Sequence, residues 1–278
     1  MSDSMQNKSE TKPGVHGYWN FLVPRSEDND REDLWRAYLK DVYRALGIRW
    51  RKTGGAGRTL KTDLYDEAIC AHDLFSLFAE GSVCMVGTDV SLETAQAASR
   101  RLKRTGRAQD LIAVSDARRQ AFKAQVFDEI LSNSTLDHFS QRGDLLASLA
   151  ELHRILKPGG VLMITLDNPW NPVVWVRNHL PYRFLKRLGI IPYYMGVTLS
   201  RPELMDALES AGFRVADSTV IVHSPRILAI WAGSLIGKTK RKWMKACFVS
   251  LLKAMEYAER LPTKSLSGYF VAAKAVKP

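Results

Sequence analysis

Two aspartates carry the clearest chemical signal in the chain. Asp89 closes the run SVCMVGTD, and Asp116 follows LIAVS, so each stands just past an apolar stretch. A carboxylate offers only acceptor oxygens and takes neighbouring hydroxyl or amino donors side by side. In an open α/β sheet, ligands bind where the carboxyl ends of the strands meet their loops. Each acid also has a plain structural role, Asp89 as the cap of a helix starting near Leu92 and Asp116 as a turn residue. A further acidic group, Asp63, Asp66 and Glu67 in LKTDLYDEA, follows another apolar run. Beyond a fourth run, Asn133 and Ser134 precede Leu136, Asp137 and His138. An imidazole titrates near neutrality, so His138 is a candidate general base; its other reading is a packing residue of the helix that follows. Asp167 and Asn168, then Pro169 and Trp170, end a fifth run.

Such residues need a frame that brings loop ends together. Short apolar runs at 59–64, 83–88, 111–114, 127–132 and 161–165 read as strands. Helical patterns lie between them at 65–78, 92–104 and 145–156, the second capped by Ser91 and the third closed by Lys157-Pro158-Gly159-Gly160. Alternation at this spacing predicts βαβ units in a doubly wound, mainly parallel sheet with helices on both faces. Further on, Ser200, Pro202, Glu203 and Gly212 mark a boxed and terminated helix, 214–223 alternates as a strand, 226–260 is helical, and 268–276 closes the chain as an apolar strand.

Around this frame we expect a polar tail at 1–14, a helical cap at 15–57, and one domain from 58 to 278. That domain carries a lid or insertion at 168–200 and a helical insertion at 226–262. In the cap, Leu34, Tyr38, Val42 and Ala45 share a helical face, and TGGAGR (53–58) is a turn signal. Tyr18 and Trp19 either close over a ligand or pack the cap onto the domain.

Composition sets bounds. An apolar content of 46% supports a large core and excludes a disordered chain. Cys70, Cys84 and Cys247 form no CxxC pair, so neither a disulfide framework nor a metal site is expected, and a buried structural role is expected instead. No apolar run is long enough to span a membrane, and the polar N-terminus has no secretion-signal core, so a cytoplasmic protein is expected. The net charge of +11 sits in blocks at 100–107, 177–187 and 238–245. No nucleic-acid motif accompanies it, and a solvated basic surface accounts for it, as does a peripheral membrane contact.

The order of these parts, VGTDVS, VSDARRQAF, SNSTLDHF and LKPGGVLMIT, resembles the class I S-adenosylmethionine-dependent methyltransferases over about residues 58–223 plus the last strand. The resemblance implies a Rossmann-like sheet of seven strands with an antiparallel C-terminal strand, and S-adenosyl-L-methionine as cofactor. It implies that Asp89, with Val90 beside it, holds the ribose hydroxyls. Asp116 would accept from the adenine amino group, and Ala117 would offer a backbone amide to the ring. Asn133 and Ser134 would contact the cofactor, while Asp167, Asn168 and Trp170 would face the acceptor. The family's glycine-rich first loop is replaced here by LKTDLYDEA, with no glycine between Arg58 and Gly81. Thr62, Asp63 and Leu64 occupy its place. Asp63 would meet the cofactor's positive charge, or else cap the helix at Tyr65, and Lys61 or the Leu64 amide would hold the cofactor's carboxylate. The acceptor is expected to be small or amphipathic, from the aromatic and basic residues of 168–200 and 231–245. The alternative is a non-catalytic methyltransferase-like binding module, motivated by the glycine-free loop. A nicotinamide-dependent enzyme is disfavoured by the missing GxGxxG.

Overall fold

The computed structural model describes residues 34–51, 56–69, 74–79, 82–104, 106, 110–180, 187 and 196–278. Tyr18, Trp19, Cys70 and much of the 168–200 segment lie outside them. The chain runs α1 (Leu34–Trp50), β1 (Ala56–Lys61), α2 (Tyr65–Ile69), α3 (Leu74–Ala79), β2 (Ser82–Asp89), α4 (Leu92–Arg104), β3 (Leu111–Val114) and β4 (Phe127–Asn133). It continues through a 3-10 turn (Leu136–His138), α5 (Arg142–Ile155), β5 (Leu156–Asp167), α6 (Pro172–His179), α7 (Arg201–Ser210) and β6 (Arg214–Ile221). Then come α8 (Arg226–Gly237), α9 (Lys242–Met255), a second 3-10 turn (Glu256–Arg260), α10 (Lys264–Ser267) and β7 (Phe270–Val276).

The seven strands form one sheet in the order β3-β2-β1-β4-β5-β7-β6. All neighbours are parallel except β7, which runs antiparallel to both β5 and β6. This is a Rossmann-like doubly wound sheet with the expected antiparallel C-terminal strand. Side chains alternate across it with period two. Met163 of β5 enters one apolar cluster with α1–α4, α8 and α9, while Leu162 and Ile164 enter the other with α5 and α7. Each leucine sealed in this way stabilises the fold by about 1.5–3 kcal/mol.

The strand order reverses between β1 and β4, the place where an open sheet leaves a crevice at its carboxyl edge. The loops after β1 and β4 diverge there to opposite faces. Thr62 stitches their roots together, its hydroxyl 3.1 Å from both Ser132 Oγ and Thr135 Oγ1.

Local details differ from the sequence expectation for physical reasons. β1 begins earlier and stops at Lys61, where its register with β2 and β4 ends. Gly57, expected in a turn, lies in the strand between Ala56 and Arg58, which pair with β2, and Asp128 leaves no room for a side chain there; a Cβ would sit 2.7 Å from Asp128 Oδ2, which accepts from the Arg58 amide at 2.9 Å. The Lys157–Gly160 segment ends α5 as expected but also extends β5, held by Lys277 through Gly159 N–H to the Lys277 carbonyl at 2.8 Å. The buried face of α1 is Leu34, Trp35, Tyr38, Val42, Leu46 and Trp50, and Ala45 points outward. Cys84 is half-buried against the core, but Cys247 is exposed, against the expectation of burial. The box around Ser200 and Glu203 forms as read.

Candidate cofactor and acceptor site

A solvent-open cleft lies at the carboxyl ends of β1, β2, β3 and β4. The β1 loop brings Thr62, Asp63 and Tyr65; β2 brings Asp89 and Val90; β3 brings Ser115, Asp116 and Ala117; the β4 loop brings Thr135, His138 and Phe139. The register of the sheet makes this convergence. Lys61 stands beside Gly87 and Leu131, and Asp89 stands beside Val114, so the strands release their loops at one edge.

Asp89 is the best-anchored acid. Its Oδ2 accepts from the Leu64 amide at 3.1 Å and its Oδ1 from the Ser91 amide at 2.8 Å. The cap of α4 is Ser91, whose Oγ accepts from Thr94 N at 3.1 Å, so Asp89 is not the capping residue. Each Asp89 oxygen keeps a second lone pair for an incoming donor. Burial, and then the negative charge of Asp63, push Asp89 up to about 7, against the pull of the Ser91 and Leu64 amides.

Asp116 lies in a tight turn, its Oδ1 accepting from the Arg118 amide at 2.8 Å and its Oδ2 from the Arg118 guanidinium at 2.6 Å. Arg118 also reaches Asp144 of α5 at 3.2 Å and lies over the Phe139 ring at 5.4 Å. One guanidinium therefore ties the third loop to the loop after β4. The sequence reading passed over Arg118; the opposite charges in SDARRQ were its signal.

The first loop is built on a buried ion pair. Lys61 Nζ donates to Glu67 Oε2 at 2.8 Å and to the Asp63 carbonyl, and Glu67 Oε1 accepts from the Phe75 amide at 2.9 Å. Burial alone would depress Lys61, but the carboxylates of Glu67, Asp63 and Asp66 outweigh it and keep the ammonium charged. Asp63 accepts from the Tyr65 amide at 3.1 Å and still lines the cleft. The Leu64 side chain is sealed inside over β2, where Gly87 makes room; a Cβ on Gly87 would sit 2.6 Å from Leu64 Cδ2.

On the β4 side, Ser134 has φ of 49° and donates through Oγ to Asp137 Oδ2 at 2.7 Å. Asn133 Oδ1 is buried with no hydrogen-bond partner among the described residues. His138 Nε2 stands 4.0 Å from the buried Asp137 Oδ1. Burial and then the charge of Asp167 raise Asp137 to about 6. Residues 196 and 197 return onto this loop, donating to the carbonyls of Asp137 and Phe139 at 2.7 and 2.8 Å. Of the expected site residues, Leu64, Asn133, Ser134, Asp167, Asn168 and Trp170 do not line the cleft. Asp167 is buried on Arg177, Asn168 donates to the carbonyls of Ser265 and Gly268, and Trp170 is exposed. Tyr65, Thr94, Ser115, Thr135 and Phe139 line it without having been singled out.

Residues 70–164 match the family described as "Methyltransferase domain". That match covers about a third of the chain. Among solved structures, it resembles the cyclase SpnF at 17% identity, with 95% of this chain and 93% of that one covered and a TM-score of 0.59. It resembles a SAM-dependent methyltransferase of Thermotoga maritima, a possible histamine N-methyltransferase, at 17% identity over 95% and 99% of the chains, TM-score 0.56. Geranyl diphosphate C-methyltransferase of Streptomyces coelicolor A3(2), in complex with Mg2+, geranyl diphosphate and S-adenosyl-L-homocysteine, matches at 12% identity over 92% and 86%, TM-score 0.57. At these identities the structures establish the fold. No curated protein matches the chain. The matched segment and the sheet support an S-adenosylmethionine-dependent methyltransferase, and the cleft suits that cofactor. A cationic, hydroxyl-bearing ligand would relieve the repulsion between Asp63 and Asp89 and would meet the open lone pairs of Asp89.

Proposed function

We propose that this methyltransferase passes the methyl group directly, in line, to an O, N or C atom of a small or amphipathic acceptor. The reading is carried by one observation: Asp63, Asp89 and Asp116 converge on a single cleft at the switch point of the sheet.

S-adenosylmethionine, when bound, supplies an electrophilic methyl group on a sulfonium. The chain's residues bind and orient. Asp89, beside Val90, accepts from the ribose hydroxyls. Asp116 accepts from the adenine amino group, and the Ala117 amide meets the ring. Thr62, Asp63 and Leu64 shape the methionyl end, with Asp63 countering the positive charge and the Leu64 amide fixed by Asp89. Asn133 and Ser134 support the cleft from the β4 side.

His138 borders the cleft next to the acceptor side and acts as a base for an acceptor that must lose a proton, with Asp137 behind it. Asp167 and Asn168 serve the acceptor side by positioning the end of β5 and the start of β7, and Trp170 beyond them is exposed to meet an acceptor. Alignment of nucleophile and methyl group is the larger share of the rate, and a dry cleft protects it.

Titration calorimetry with S-adenosylhomocysteine tests the reading. Binding that weakens about a hundredfold in Asp89→Ala is expected. Absence of binding at millimolar ligand would overturn it and favour a non-catalytic module. His138→Ala should leave that binding unchanged and slow turnover by about a hundredfold or more for an acceptor needing deprotonation.

A further inference from the structure

Among the described helices, α8 inverts the usual pattern. Its inner face carries Ala229 and Gly233, and Gly233 lets Phe248 and Leu34 approach; a Cβ there would meet the Phe248 ring at 3.4 Å. Its outer face carries the large apolar side chains. Trp231 is 63% exposed and Leu228 is 62% exposed, against 3% for Ala229. Ile227, Leu228, Trp231 and Leu235 recur at helical spacing on that side, and no charge interrupts them. The neighbouring α9 repeats the arrangement with Trp243, Cys247 and Leu251 at steps of four, Trp243 being 63% exposed. The two helices pack against each other and against α1.

A rim of one sign surrounds this face. From Arg226 to Met255 there are seven basic residues (Arg226, Lys238, Lys240, Arg241, Lys242, Lys245, Lys253) and no acidic one. Lys253 is paired with Asp41 of α1 at 3.1 Å. Four of the seven cluster at the turn between α8 and α9.

We propose that the outer face of α8 and α9 docks on an anionic lipid bilayer. The charge pattern selects this occupant. A second copy of the face would bring two all-basic rims together, which repels. Anionic headgroups attract such a rim at about a fivefold gain in partition for each basic side chain near the surface. Indole rings settle at the headgroup level, and the leucines reach the acyl boundary. No helix among the described residues is long and apolar enough to cross a membrane, so the contact is peripheral. Only one consequence rests on the proposed function: docking would bring an amphipathic, membrane-held acceptor to the enzyme.

Flotation of the full chain with phosphatidylcholine vesicles, with and without phosphatidylglycerol, tests this surface. Binding is expected only with phosphatidylglycerol, and it should weaken as salt rises. Lys240→Gln with Lys242→Gln should lower partition about 25-fold. Trp231→Ser and Trp243→Ser should each lower it about tenfold. All variants should bind S-adenosylhomocysteine as the parent does, which separates this test from that of methyl transfer and confirms folding. Absence of flotation overturns the proposal, as does flotation that the four substitutions leave unchanged. A concentration-dependent dimer in sedimentation velocity that Trp231→Ser dissolves would overturn it in favour of self-association.

Discussion

The loop after β1 and the loops after β2 and β3 reach the same cleft by different means. The second and third loops follow the simple rule that an acid stands at or just past a strand end and lines the cleft. Asp89 and Asp116 sit on short turns with backbone amides donating to them. The first loop has no glycine, yet it comes close enough to give its Leu64 amide to Asp89. The room comes from the neighbouring strand, where Gly87 lets Leu64 in. The shape comes from Lys61, which holds Asp63 and Glu67 from below. Close backbone approach is thus a property of a pair of segments, and the permissive residue can lie on either one.

The sharpest way to break that comparison is Lys61→Met. It leaves Glu67 sealed without its partner, and should lower stability by about 3–5 kcal/mol, read by urea unfolding. Adding Glu67→Leu should recover most of the loss. If Lys61→Met is silent, the ion pair does not shape the loop.

Asp89→Ala should come next. It removes a charged acceptor from two backbone amides and, in our reading, from the ribose. The affinity for S-adenosylhomocysteine should fall about a hundredfold, since each hydrogen bond to a charged group is worth about 1.5–3 kcal/mol. The same carboxylate sets a pH dependence. Its folded value lies at about 7, above the ordinary carboxylate range. The stability it lends through protonation is therefore complete in acid and is lost as pH rises through about 7. Ligand binding needs the ionised form, so affinity should weaken as pH falls below that value, and calorimetry across the range checks it.

Gly87→Ala probes the compensation directly. Overpacking against Leu64 should cost about 1–3 kcal/mol, and Leu64→Ala in the same chain should restore part of it. A double-mutant cycle measures this coupling. Asp116→Ala should have the smallest effect, about tenfold in affinity, because Asp116 is partly exposed and already neutralised by Arg118. A loss equal to that of Asp89→Ala would erase the distinction between the two acids.

Much of the frame was readable along the chain. The runs at 111–114 and 92–104 coincide with β3 and α4 because their boundaries carry local signals, a serine cap and an acid-tipped strand end. β1 was misplaced by three residues at each end. Its start contains Gly57, which reads as a turn until Ala56 and Arg58 are known to pair with β2. Asp167 and Asn168 stand beyond a strand as Asp89 does, yet they are turned into Arg177 and the start of β7. Nothing in their immediate sequence distinguishes the two fates, since the partners lie 10 and about 100 residues away.

The chain by itself determined which segments alternate and which carboxylates stand at strand ends, because period, caps and breakers act within a few residues. Only the tertiary structure decided which of those acids share one cleft, that a glycine on β2 excuses the missing glycines after β1, and that α8 turns its tryptophan outward. Those outcomes depend on which strands lie side by side and on which face is already covered, and neither is written in any local run of residues.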